Sequence, residues 1–375
     1  MLTAGGGSGG GSGGGSGGGS GGGSGGGSGG GSALSHAGGG GGPQMSWALA
    51  ATYDGIVGPW DPALHLARSS RPEPAADDLE YLEPAGRMRL LHLALLRRIA
   101  PAATGLSIEA AGQPVATIER PAEDILARQL VLVRTYADLR VDRIPEILEQ
   151  TGDIISFFGG GALMNAGQRR RTREVMTVAQ QAVICVCAEI KHRAFSPRPV
   201  DFDGRICPVI QTPDHSTYPS GHATEAFALA TVLHRLMTGE GPDPDAAPFR
   251  IAHRIAVNRT VAGVHFPVDS AAGAILGCAL GEAMHGLATG APMRAVRFRP
   301  ATSESESRDF GAWDDFTPAW LQTALARATA TEAPAADPLW SRAWRRAQAE
   351  WRRGPHGADG ADGGDGADAA NGTPA

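Results

Sequence analysis

Lysine is almost absent from this chain. The sequence contains 33 Lys and Arg residues, and Lys191 is the one lysine among them. A chain that uses arginine for every other cation has kept one compact ammonium with three rotatable donors, which indicates a position where a point charge is needed. The formal net charge is −6, and no nucleic-acid motif accompanies the basic string Arg169–Arg173. We therefore expect no nucleic-acid partner.

Long hydrophobic runs are also missing. The richest apolar stretches, Gln181–Ile190 and Ala271–Leu280, are closely flanked by polar or charged residues. A membrane-spanning helix needs roughly 20 mostly apolar residues. The sequence therefore predicts a soluble protein without a transmembrane segment.

Cysteine is scarce and unpatterned. The four cysteines show no zinc-ligand spacing and are expected to be buried thiols in a reducing compartment; they are Cys185, Cys187, Cys207 and Cys278. The sequence shows no basic stretch followed by an apolar run, which is the pattern of a secretory signal. The expected location is therefore the cytoplasm.

Both ends of the chain have low complexity. Gly5–Ser32 consists of Gly-Gly-Gly-Ser repeats, which cannot build a core and behave as a flexible coil. We assign 1–44 to a linker or extension and 354–375, rich in Gly, Ala and Asp, to a disordered tail. The remaining segment, 45–353, is long enough for one large domain.

Three short segments carry the residues of a candidate oxyanion site. In chain order they read K-x6-R-P, P-S-G-H and R-x5-H-x3-D. Their polar residues are Lys191 and Arg198; Ser220, Gly221 and His222; and Arg259, His265 and Asp269. The three cations suit a dense anion such as phosphate or vanadate, because guanidinium groups grip tetrahedral oxyanions with paired hydrogen bonds.

The second segment precedes an apolar-periodic run and is predicted to begin a helix. Ser220 is a good N-cap. Ser220 and Gly221 would then stand where unpaired backbone N–H groups and the macrodipole favour an anion. His222 would face that anion from the same helix and suits a general acid.

The third segment is predicted to begin a second helix, because Pro267 suits a first turn. His265, just before it, would enter the same pocket. Asp269 is placed to hold the imidazole of His265 in one tautomer by accepting from its other nitrogen. This is the arrangement of a nucleophile and its orienting group.

Together the three motifs resemble the superfamily of type 2 phosphatidic acid phosphatases and vanadium-dependent haloperoxidases. The resemblance covers about 174–287 and implies an all-α helical bundle, with extra N-terminal helices packed around it. It implies that the oxyanion is bound by Lys191, Arg198, Ser220, Gly221 and Arg259.

The resemblance also implies roles for the two histidines. His265 would attack phosphorus in a phosphatase or ligate vanadium in a haloperoxidase, and His222 would serve as acid–base. One position departs from the family pattern, because Asn258 stands where a serine usually precedes the arginine. We expect a changed contact there, since Asn still donates and accepts hydrogen bonds.

The motifs leave the reaction open. The run Y-P-S-G-H-A-T resembles haloperoxidase sequences, and His215 matches a histidine of bromide-oxidising members, which makes it a candidate halide site. Ala188 argues the other way, because chloride-oxidising members tend to have a bulky aromatic there.

The favoured expectation is a vanadate-dependent haloperoxidase that uses peroxide and halide. The alternatives are an acid phosphatase acting on phosphomonoesters without a cofactor, and a non-catalytic oxyanion-binding protein. The sequence does not determine the oligomeric state.

Outside the motifs, the apolar period predicts further helices. They cover Arg87–Ile99, Ala122–Leu139, Ile144–Phe158 and Arg173–Ile190, and Val115–Ile118 reads as a minor hairpin strand. Trp340, Trp344 and Trp351 lie on a predicted C-terminal helix, which we expect to dock its tryptophans on the domain; the alternative is an interfacial membrane helix.

Overall fold

The computed structural model describes residues 50–53, 73–164, 167–300 and 309–352. Most of these residues are helical, which confirms the all-α class, and a small sheet accompanies the helices. The Gly-Ser segment predicted over 1–44 and the tail predicted over 354–375 lie outside the described residues. The described residues all fall within the predicted domain, 45–353.

The α-helices of the described residues are α1 (Pro84–Leu96), α2 (Glu123–Tyr136), α3 (Arg140–Glu149), α4 (Ile155–Ala162), α5 (Arg170–Ala194), α6 (Pro199–Phe202), α7 (Gly221–Thr238), α8 (Ala247–Val261), α9 (Pro267–Thr289), α10 (Pro318–Ala326) and α11 (Pro338–Arg352). The strands are β1 (Ile99–Pro101), β2 (Ser107–Ala110), β3 (Gln113–Ile118), β4 (Arg294–Phe298) and β5 (Thr329–Ala330).

Helices α7 and α9 pack unusually close together at the centre of the bundle. The reason is a row of glycines on α9, spaced four residues apart. A Cβ atom at Gly273 would lie 2.6 Å from the carbonyl oxygen of Ser220, and one at Gly277 would lie 2.4 Å from that of Thr224. Because both helices are almost wholly buried, this close contact fixes the start of α7 against the start of α9.

Helix α5 confirms the prediction over Arg173–Ile190 and extends it at both ends. It packs along α7 and presents one long apolar face to the core. Lys191 lies in its last turn, and the helix ends at Phe195, which has a left-handed conformation (φ 41°). The chain therefore turns sharply between Lys191 and Arg198.

The N-terminal helices also match the predictions, with one correction. A single helix over Ile144–Phe158 is wrong: α3 ends at Glu149 and α4 begins at Ile155. The turn between them contains Gly152 and Asp153, and Asp153 Oδ1 accepts from the backbone N–H of Ser156 at 3.1 Å. An acceptor of this kind favours a new helix start over continuation of the old helix.

The predicted hairpin strand is part of a larger sheet. The strand order is β1-β2-β3-β4-β5; β1, β2 and β3 are antiparallel neighbours, and β3 pairs in parallel with β4 from far along the chain. Local sequence predicts a hairpin but not a parallel pairing, since the pairing depends on how α9 brings β4 back to β3.

The C-terminal helix docks on the domain, as expected. Trp340 and Trp344 are completely buried, and Trp340 Nε1 donates to the carbonyl of Met284 at 2.8 Å. Trp351 Nε1 donates to Thr172 Oγ1 at 3.0 Å, and the Arg169 guanidinium lies 4.0 Å from the Trp351 ring centroid. The tryptophan face is therefore covered by protein.

Helix α9 corrects the expectation drawn from hydrophobic runs. It is long and apolar enough to cross a membrane, although 94% of its most apolar window is buried inside the protein. Its alanines and glycines give the helix a moderate mean hydropathy, and the polar residues near its ends made the apolar stretch look shorter in the sequence. The core helix of a soluble protein passes the same test.

The cysteine expectation is half correct. Cys187 and Cys278 are buried free thiols, whereas Cys185 and Cys207 are exposed. Cys185 lies on the outer face of α5, and Cys207 follows a short surface 3-10 helix.

Candidate oxyanion site

The starts of α7 and α9 meet at the candidate site. Ser220 is the N-cap of α7, where its Oγ accepts from the N–H of Ala223 at 3.4 Å, as predicted. The N–H of Ser220 donates to the carbonyl of Asp269 at 2.9 Å. This bond ties the P-S-G-H segment directly to the helix that follows His265.

His265, Asp269 and Thr217 form a hydrogen-bonded group. His265 Nδ1 lies 3.1 Å from Asp269 Oδ2, and Thr217 Oγ1 donates to the same carboxylate oxygen at 2.5 Å. The backbone N–H of Phe266 donates to it as well, at 2.9 Å. Because a carboxylate only accepts, the proton of His265 is on Nδ1 and Nε2 carries the lone pair.

Burial decides the protonation of this group. Burial, followed by the charge of Arg198, lowers the pKa of His265 well below its usual value. Burial raises the pKa of Asp269 to about 6, although hydrogen bonds from Thr217 and Phe266 act in the opposite direction. At neutral pH the group therefore contains a neutral imidazole and a carboxylate.

The first motif places its two cations against the loop before Ser220. Lys191 Nζ donates to the carbonyls of Ser216 and Thr217 at 2.8 and 3.2 Å. Arg198 donates to the carbonyl of His215 from Nε at 3.1 Å and to that of Val264 from Nη1 at 2.9 Å. Both side chains are buried, and burial lowers the pKa of Lys191 to about 8 and that of Arg198 to about 10.

Arg259 has buried donors without an acceptor. The residue is 1% exposed; its Nη2 donates to Gln150 Oε1 at 2.8 Å and to the carbonyl of Ile147 at 3.3 Å. Its Nε and Nη1 have no hydrogen-bond partner within the described part of the chain. Burial lowers the pKa of Arg259 to about 10. Leaving charged donors buried and unpaired is unfavourable, so the site fits a bound oxyanion that supplies the missing acceptors.

His222 is held from the opposite side. Its Nε2 lies 2.9 Å from the carbonyl oxygen of Gln150, so the proton is on Nε2 and Nδ1 is the free acceptor. Burial, then the charge of Arg259, lowers its pKa well below the usual value. His222 is thus a neutral base in the site as it stands.

His215 lies beside Arg198 in the same site. Its Nδ1 lies 3.1 Å from Arg198 Nη2. Burial and the nearby Lys191 charge lower its pKa to about 4. Ala188 is exposed on α5.

The structure thus brings together all the residues singled out in the three motifs, and it adds two that sequence reasoning missed. Thr217 lies two residues before the P-S-G-H motif, where a hydroxyl three residues before Ser220 was a usable signal. Gln150 lies about 40 residues before the first motif, and nothing in the local sequence identifies it. It is fully buried and binds both Arg259 and Asn258.

The family model described as the PAP2 superfamily matches residues 175–290. The match contains all three motifs, and it confirms the resemblance of this segment to the PAP2 superfamily. No curated protein matches the chain.

Proposed function

We propose that the protein is a soluble, vanadate-dependent haloperoxidase that oxidises halide with hydrogen peroxide. The observation that carries the proposal is Arg259, whose two unpaired buried donors call for an anion beside a histidine with a free Nε2. Burial lowers the pKa of His222 and of His265, and the charge of Arg259 lowers that of His222 further. The buried guanidinium therefore acts electrostatically on the neighbouring histidine of the site.

The donor set fits vanadate. His265 would hold it through Nε2, and Lys191, Arg198 and Arg259 would neutralise its charge, with the α7 N-terminus adding backbone donors. When bound, vanadate supplies the Lewis-acid activation of peroxide that these side chains cannot provide. We propose His215, in contact with Arg198, as the halide-side residue, in keeping with its match to bromide-oxidising members.

The protein's own residues would manage the protons. Asp269 and Thr217 hold His265 with its lone pair directed away from the carboxylate. His222 accepts a proton at Nδ1, because Nε2 is occupied by Gln150, and it returns that proton to a departing oxygen. Its role as general acid therefore requires prior protonation, which an anion in the pocket favours by raising its pKa.

Phosphomonoester hydrolysis is the second candidate, and the neutral His265 favours it. Its Nε2 would form a bond to phosphorus while the P–O bond to the leaving group breaks, and His222 would pass the proton of the substrate monoanion to the leaving oxygen. Water would then cleave the P–N bond and release phosphate. The same pocket would serve, without a cofactor.

The soluble state is part of the proposal. The long apolar helix α9 is surrounded by other helices of the bundle, and the C-terminal tryptophans are buried. We infer small, water-soluble substrates from the same features, and we propose a cytoplasmic location because the four cysteines are free thiols.

A paired assay tests the proposal. Metal-free protein is given bromide and peroxide with and without vanadate, and separately a phosphomonoester. Vanadate-dependent halogenation that phosphate suppresses, and that His265→Ala loses, is the expected result. Hydrolysis inhibited by vanadate, without halogenation, would establish the phosphatase instead. Inactivity in both assays would leave a non-catalytic oxyanion-binding protein.

A further inference from the structure

Gln150 connects residues from two of the three motifs, although it lies outside the PAP2 segment at 175–290. It follows the last turn of α3 and is completely buried. Its side-chain Oε1 accepts from Arg259 Nη2 at 2.8 Å and from Asn258 Nδ2 at 3.1 Å. Its backbone carbonyl accepts from His222 Nε2 at 2.9 Å.

The orientation of the Gln150 amide is fixed by its other end. Nε2 donates to Glu146 Oε1 at 3.1 Å, and Arg254 holds Glu146 with contacts of 2.7 to 2.9 Å. Since Glu146 only accepts, the amide nitrogen points to it and the amide oxygen points to Arg259. Asn258 is fixed in the same sense, because Arg143 Nη1 donates to its Oδ1 at 2.9 Å.

The contact with Arg259 has two consequences. Gln150 occupies Nη2, so that Nε and Nη1 are the donors left without a partner. An amide oxygen is also uncharged, so it fixes the guanidinium without cancelling its charge. A carboxylate in the same place would pair with Arg259 and compete with an incoming anion.

The contact with His222 sets a tautomer. A carbonyl oxygen can only accept, so it requires the proton on Nε2 and leaves Nδ1 unprotonated. One residue thus controls an anion-binding donor through its side chain and the proton carrier through its backbone.

We propose that Gln150 is a positioning residue of this site: it aims Arg259 at the bound oxyanion, holds that cation without placing a negative charge against it, and holds His222 as the Nε2–H tautomer. Asn258, which replaces the usual serine, is part of the same device, because its amide donates to Gln150. The inference rests on the proposed function in that the pocket must bind an oxyanion.

Two variants test the side-chain part. Gln150→Glu retains the shape and the acceptor for Arg259, loses the donor to Glu146 Oε1, and adds a negative charge at the present 2.8 Å contact with Arg259 Nη2. Gln150→Met retains bulk and removes all three side-chain hydrogen bonds, those with Arg259, Asn258 and Glu146. The probe is inorganic phosphate, with its Kd measured by calorimetry on the full chain, together with kcat and KM of the active assay. We expect each variant to raise Kd by about tenfold or more, with Gln150→Glu also raising KM more than it lowers kcat.

The matched control is Ser341→Ala. It removes a buried hydrogen bond of 2.6 Å from Ser341 on α11 to the carbonyl of Ala288 on α9, and should leave the phosphate Kd unchanged. If Gln150→Met fails to fold, Gln150→Glu decides, because it keeps the acceptor geometry. Wild-type Kd and KM in a folded Gln150→Glu variant would overturn the side-chain part.

The backbone part is read from nitrogen-15 NMR of histidine-labelled wild-type protein. We expect His222 with a protonated Nε2 and an unprotonated Nδ1; the reverse tautomer would overturn this part. The outcomes separate the two proposals. A wild type without turnover, whose phosphate binding still weakens in the Gln150 variants, refutes the proposed function alone. An active wild type, together with Gln150 variants whose phosphate Kd and KM are unchanged, refutes the positioning role alone.

Discussion

Thr217 donates its hydroxyl proton to Oδ2 of Asp269 at 2.5 Å, and that oxygen also faces Nδ1 of His265. The other carboxylate oxygen, Oδ1, has no hydrogen-bond partner among the described residues. The hydrogen bonds to Asp269 therefore converge on one oxygen, from Thr217, the imidazole and one backbone N–H.

Thr217→Val should disturb the orientation of His265 more than it disturbs substrate binding. The substitution keeps the shape but removes the donor, so His265 loses part of its fixed position. We expect kcat to fall about tenfold or more, the cost of one hydrogen bond to a charged group, with a smaller change in KM. The acidic limb of the rate profile should move to higher pH, because the Thr217 hydrogen bond lowers the pKa of Asp269. Thr217→Ser should restore both, and an unchanged profile in the valine variant would contradict the assignment.

Anion binding should weaken in alkaline solution. Burial lowers the pKa of Lys191 to about 8, and an oxyanion favours the charged ammonium. Affinity should be constant between about pH 7, above the pKa of Asp269 at about 6, and about pH 8, and should fall above pH 8 by at most tenfold per pH unit for one proton. Sulfate is a suitable probe, since its charge does not change in this range.

Lys191→Arg is the control for that titration. A guanidinium remains protonated, so the affinity of this variant should be independent of pH up to about 9, even if weaker. A wild-type sulfate Kd that is flat to pH 10 would show that Lys191 does not contribute its charge.

Gly277→Ala should destabilise the bundle. A Cβ there would lie 2.4 Å from the Thr224 carbonyl and 2.9 Å from the Ala228 amide nitrogen, so α7 and α9 must separate. Overpacking of this kind costs roughly 1–3 kcal/mol, measured as the free energy of unfolding in denaturant. Gly86→Ala on α1 is the matched control: its nearest neighbours are at 3.8 Å, and better helix propensity should make it neutral or slightly stabilising. Equal stability of the two variants would refute the close contact.

His215→Ala should discriminate between the two reactions. His215 contacts Arg198 Nη2 at 3.1 Å and is proposed to act on the halide side. We expect bromide oxidation to fall by a larger factor than phosphomonoester hydrolysis, measured on one preparation. Equal losses would indicate that His215 only supports Arg198.

Sequence patterns predicted the helices best where the apolar period was unbroken. The period marks a buried face directly, so α5 and the C-terminal helix were predicted. The division between α3 and α4 was missed, because the interruption at Gly152 and Asp153 is short. The pairing of β3 with β4 was missed for a different reason, since those strands are brought together by the helices between them.

Short sequence motifs were enough to predict the charged and titratable groups of this site: one lysine, two arginines, two histidines and an aspartate at helix ends. They were enough because side-chain chemistry and helix-start signals depend on residues adjacent in the chain. How those groups are held depends on packing. Only packing brings Gln150 of the N-terminal helices to Arg259, Asn258 and His222, and only burial sets the protonation of His265 and Lys191, because both depend on neighbours distant in the chain.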